Sequence, residues 1–107
     1  MNGQSIAGGS SKAIGRYAHA EGRESLADMR YAHAEGSMSI AGGIASHAEG
    51  QETIARGLQS HSEGRNTEAF GYASHAEGNF TKAHFKTSHA EGNYTLAGNS
   101  YAHAENA

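Results

Sequence analysis

Seven times along the chain a histidine is followed two residues later by a glutamate, in phrases such as "YAHAEG", "ASHAEG", "QSHSEG" and "TSHAEG". An imidazole beside a carboxylate can move a proton, hold a metal ion, or close a hydrogen bond that pins two surfaces together. The histidines are His19, His33, His47, His61, His75, His89 and His103, each 14 residues after the one before. The glutamates keep the same register at Glu21, Glu35, Glu49, Glu63, Glu77, Glu91 and Glu105. Glycine follows at Gly22, Gly36, Gly50, Gly64, Gly78 and Gly92, with Asn106 in the last copy. No insertion or deletion breaks the run, so whatever the pair does, it does at seven equivalent places.

Half a repeat away lies a second pattern. Ser11, Ser25, Ser39, Thr53, Thr67, Thr81 and Thr95 fill one column. Two residues on, Ala13, Ala27, Ala41, Ala55, Ala69, Ala83 and Ala97 fill another. The unit therefore has two similar halves, "SHAEGNY" and "TLAGNSY". Fourteen is also two heptads, but the recurring apolar residue is Ala, and Gly recurs in nearly every half-repeat, where a helix would lose most. Two short strands per coil, turning at Gly, Asn and Ser, fit better. Strand alternation then puts Ala18, Ala20, Ala32 and Ala34, with Ser11, Ala13, Ser25 and Ala27, on the inner face. Such small residues suit a flat solenoid with closely pressed sheets, each coil advancing about 4.8 Å. We read residues 1–107 as one repeat domain of about seven coils. Residues 1–10 form an irregular N-terminal cap, because "QSIAGGS" fits the pattern only after a one-residue slip. No convincing cap follows Glu105, as expected of a segment from something longer.

Composition agrees. Hydrophobic residues make up 36%, much of it Ala, with no Trp and 15 Gly, so an ordinary core is out of reach. The net charge of −3 comes without a basic run, so no nucleic-acid partner is expected. No apolar stretch is long enough for membrane insertion or a signal peptide. With no Cys, disulfides and thiolate chemistry are excluded.

"SIAGG", "KAIG", "TLAG" and the 14-residue spacing resemble the YadA-like head repeat of trimeric autotransporter adhesins. The "SHAEG" form is similar to versions of that repeat in phage tail and neck-appendage proteins and other surface proteins. The resemblance covers essentially the whole chain. It implies an all-β, left-handed parallel β-roll whose three chains associate side by side as a homotrimer. It also implies a place on the cell surface, outside the cell or on a virion tail, and a host-surface receptor as partner.

If Ala20 points inward, His19 and Glu21 point out, and stacking turns them into two ladders. The other sheet's outer columns read Leu26, Ile40, Ile54, Glu68, Lys82, Leu96 and Asp28, Gly42, Arg56, Phe70, His84, Gly98, varying freely as a solvated surface can. The invariant ladders meet one demanding environment, and a chain-to-chain contact along the rod is such an environment. All fourteen His and Glu residues are therefore assigned to the trimer interface, each His donating to a Glu of its own or a neighbouring chain.

Catalysis fits poorly, since an enzyme needs one shaped pocket and no nucleophile stands apart from the repeat. Ser46, Ser60, Ser74 and Ser88 belong to the inner column. No catalytic residue, metal ligand or cofactor is assigned. A metal- or anion-binding histidine array is the alternative function, since symmetry-related imidazoles suit Zn, Ni or Cu. Calcium would need Asp-rich GGxGxD turns, which are missing, and ice binding would need an exposed Thr-x-Thr grid. His84 and the tyrosines Tyr17, Tyr31 and Tyr101 are read as surface and stacking residues.

Overall fold

The computed structural model describes residues 6–7 and 10–105, with only the backbone of Ile6 and Ala7. Most of the expected cap at 1–10 lies outside the described residues.

Alternation along an extended chain buries every second side chain, and here the buried ones are small. Ala20, Ala34, Ala48, Ala76 and Ala90 have no exposure, nor do Ala27, Ala41, Ala55, Ala69 and Ala83 opposite them. The largest fully buried side chains are Thr53, Thr67 and Thr81. With nothing bulkier between them, the sheets lie close, and the molecule measures 44 × 23 × 12 Å.

One sheet holds eight parallel strands: Ile6–Ala7, His19–Arg23, His33–Ser37, His47–Gln51, His61–Arg65, His75–Asn79, His89–Asn93 and His103–Glu105. The other holds seven shorter ones: Lys12–Ala13, Leu26–Ala27, Ile40–Ala41, Ile54–Ala55, Glu68–Ala69, Lys82–Ala83 and Leu96–Ala97. The chain alternates between the sheets and pairs like with like one coil on, as in His33↔His47, Ala34↔Ala48, Glu35↔Glu49 and Gly36↔Gly50. The fold is thus an all-β parallel solenoid of about seven 14-residue coils, with no helix among the described residues. At the N-terminal end Ile6 pairs with His19 and Ala7 with Ala20, one residue short of the 14-residue step. The slip in "QSIAGGS" is a slip in strand register.

Buried hydroxyls settle against backbone. Ser11, Ser25 and Ser39 donate to the carbonyls of Gly22, Gly36 and Gly50 at 3.1–3.2 Å. At the other corner Ser46, Ser60, Ser74 and Ser88 donate three residues back at 2.7 Å. In the coil where Ser62 replaces the inner Ala, its Oγ lies 2.6 Å from Thr67 Oγ1. The Ser/Thr column thus faces inward, as its alternation with Ala predicts.

The corners differ from the sequence expectation. Gly, Asn and Ser were the predicted turn residues, yet the αL positions belong mostly to others. Tyr17, Tyr31, Ala45, Gln59, Ala73, Thr87 and Tyr101 mark one corner, with φ between 50° and 63°. Glu24, Met38, Glu52, Asn66, Phe80 and Tyr94 mark the other, with φ between 55° and 58°. An αL residue with a side chain costs roughly 1–2 kcal/mol. Each conformation aims an N–H at the preceding coil: Tyr31 donates to Arg16 O, Met38 to Arg23 O and Ala45 to Arg30 O, at 2.8–2.9 Å. Coil-to-coil bonding, rather than local turn propensity, decides these residues.

Glycine is indispensable elsewhere, in the column after Glu. Gly64 has φ +112°, and a Cβ there would overlap the carbonyl oxygen of Gly78 in the next coil. Gly98 has open space around it and no such φ. Gly64→Ala should therefore cost at least about 2 kcal/mol in chemical denaturation, the strained backbone alone accounting for about 1–3. Gly98→Ala should be near neutral. Equal effects would contradict this packing.

Candidate functional site: the His-x-Glu face

The structure brings all seven pairs onto one outer face. Ala18 and Ala20 are anchored in the core, so His19 between them turns outward, and every later coil copies it. The rings stack face to face: successive imidazole centroids are 4.6–4.7 Å apart from His19 to His103, with planes within 17°. Parallel strand spacing dictates that distance.

Each Nε2 lies 2.6–2.9 Å from Oε1 of the Glu two residues on, so within the chain every pair closes inside its own coil. His19 and His33 make aligned hydrogen bonds at 2.6 and 2.7 Å. There the ring proton sits on Nε2, because a carboxylate only accepts. At His47, His61, His75 and His89 the separations are as short, but no aligned hydrogen bond forms. Those four Nε2 atoms are screened from water, with the Glu oxygen as the polar atom each one faces. The central side chains remain about a third exposed, 35% at His47 and 33% at His75, whereas His103 at the end is 55% exposed.

Burial lowers the pKa of His47 from 6.5, helped by His61 and His33 above and below and opposed by Glu49. Burial likewise lowers His75, helped by His61 and His89 and opposed by Glu77 and Glu63. The flanking imidazoles and desolvation together outweigh the carboxylates, so these central rungs favour the neutral ring.

Sequence reasoning missed a second His–Glu pair on the opposite sheet. His84 Nε2 lies 2.8 Å from Oε1 of Glu68 in the preceding coil, and its ring stacks on Phe70 at 4.6 Å. The signal was present in the aligned columns: Glu68 and His84 stand in neighbouring outward columns of consecutive coils. Tyr17 stacks on Tyr31 at 5.3 Å, as expected of these two tyrosines. Phe80 stacks on Tyr94 at 4.9 Å, beside a bond from Asn79 Nδ2 to Asn93 Oδ1.

No protein-family model matches this chain, and no curated protein matches its sequence. The solenoid fold stands on the strand pairing itself.

Lowered His pKa values fix the sign of a pH effect. Below 6.5 the unfolded chain takes up protons that folded His47 and His75 resist, so stability present above pH 6.5 is lost as pH falls through the folded values. The melting temperature should be higher at pH 7.5 than at pH 5.5, and replacing both residues with Gln should shrink that difference. A melting temperature that rises on acidification would mean that the Glu contacts dominate instead.

Proposed function

We propose that this chain is a structural and adhesive rod segment of a homotrimeric surface adhesin or phage tail-type fibre, built as a left-handed β-roll. The observation that carries the reading is the contrast between faces. One outer face repeats the same His and Glu for seven coils, while the outward columns of the other sheet vary in charge and size. A surface held constant over the whole rod suits a partner with the same repeat, which is another copy of this chain. In that arrangement the fourteen ladder residues line the contact between three chains.

The distribution of large side chains supports association. All eight Phe and Tyr residues lie at the surface, from 37% exposure at Phe70 to 71% at Tyr101, while the core is Ala, Ser and Thr. The stacked pairs Tyr17–Tyr31 and Phe80–Tyr94 offer a partner exposed aromatic surface. The rod then works mechanically and multivalently: each coil templates the next, and the variable columns face a host-surface receptor. No catalytic step is part of this function. No helix among the described residues is long and apolar enough to cross a membrane.

Sedimentation tests the assembly. The wild-type chain should run as a trimer, and His47→Ala with His61→Ala should give monomer or aggregate. A stable trimer in the double variant would refute the ladder's role.

A further inference from the structure

The ladder contains five recurring clusters with the makings of a cation site. They are His33–Glu35–His47, His47–Glu49–His61, His61–Glu63–His75, His75–Glu77–His89 and His89–Glu91–His103. In each, one ligand atom from every residue lies within 4.8 Å of the others. Ligands on a tetrahedral zinc ion stand about 3.3–3.5 Å apart, given bonds of about 2.0–2.2 Å to nitrogen and oxygen. The His–Glu contacts of 2.6–2.9 Å are already tighter than that. To hold zinc, the His–Glu contact must open by roughly half an ångström and the ligand atoms of successive coils must close by up to roughly an ångström and a half. Side-chain torsions of rings about a third exposed supply that adjustment, at the cost of part of the ring stacking.

A second observation points the same way. The Nε2 atoms of His47, His61, His75 and His89 are shielded from water, and the polar atom facing each is a carboxylate oxygen 2.6–2.9 Å away, poorly aligned for a hydrogen bond. A water-shielded nitrogen facing a carboxylate oxygen in poor hydrogen-bond alignment is a nitrogen–oxygen pair that a cation between the two satisfies at once.

We propose that the His-x-Glu face binds divalent transition ions of the zinc class, two histidines of successive coils and the intervening Glu holding each ion. The clusters overlap, and one Nε2, its proton released or moved to Nδ1, serves one ion. Six histidines from His33 to His103, taken two at a time, therefore set a capacity of three ions per chain. His19 and Glu21 belong to no cluster. These sites are complete within one chain and do not depend on the trimer.

The test is native mass spectrometry of the chelator-stripped chain titrated with zinc sulfate, which reads ions per chain and assembly state together. The wild-type chain and Glu21→Gln should each load three ions. Glu63→Gln, a near-isosteric change, should load two, because removing the central cluster leaves at most two that share no histidine. Circular dichroism confirms that each variant is folded. Any wild-type count other than three, including seven (one per His–Glu pair) or none, overturns the proposal. So does a folded Glu63→Gln chain that still loads three. The assembly mass from the same spectra judges the trimer separately.

Discussion

Every coil lies on a copy of itself at the spacing of a parallel sheet, and the rest of the molecule follows from that constraint. Fourteen residues close one circuit, so each residue rests on the residue 14 places on, with Ala on Ala, Gly on Gly and His on His. Nothing but small side chains fits between the two sheets, which excludes the usual aliphatic core. Stability comes instead from backbone bonds between coils and from repeated close contact of Ala, Ser and Thr. The same constraint holds a column of side-chain-bearing residues at each corner in the αL conformation, and eleven of them donate their N–H to a carbonyl of the coil before.

Stacking like on like is favourable for neutral groups and hostile to charge. Two unit charges one strand spacing apart interact by about 1–3.5 kcal/mol at effective dielectric constants between 80 and 20. Seven imidazolium rings in a column would meet that repulsion at every step. The structure answers it in two ways. Burial and the neighbouring rings favour the neutral form at His47 and His75, and each ring has a Glu beside it in its own coil. On the other sheet the outer column is mostly aliphatic, and its one pair of adjacent charges, Glu68 and Lys82, is of opposite sign. A flat ladder of stacked imidazoles flanked by carboxylates suits both proposed uses of this face, contact with another copy and capture of a cation.

Much of this was legible because the repeat has no gaps. The period fixed the coil length, and alternation separated Ala20 from His19 and Glu21. Even the slip at "QSIAGGS" appears as the Ile6–His19 pairing. What escaped was whatever depends on three-dimensional closure. Turn propensity misplaced the αL residues, since a lone sequence shows no sign that Thr87 or Phe80 must bond to the preceding coil. The pairing of His84 with Glu68 crosses between coils and becomes visible only once the columns are laid side by side. The closure of each His on the Glu of its own coil, aligned at His33 but not at His47, depends on side-chain torsions that spacing does not encode.

The central claim is that register, not composition, holds the rod together, and excising whole or partial coils tests it most directly. Removing residues 57–70 takes out one full 14-residue circuit and joins Arg56 to Gly71 in column. Removing 57–69 leaves almost the same composition but shifts every later residue by one place, turning His75, His89 and His103 toward the core. Thermal unfolding followed by circular dichroism should show a cooperative β-rich transition for the first chain and none for the second. Similar behaviour in both would contradict the account.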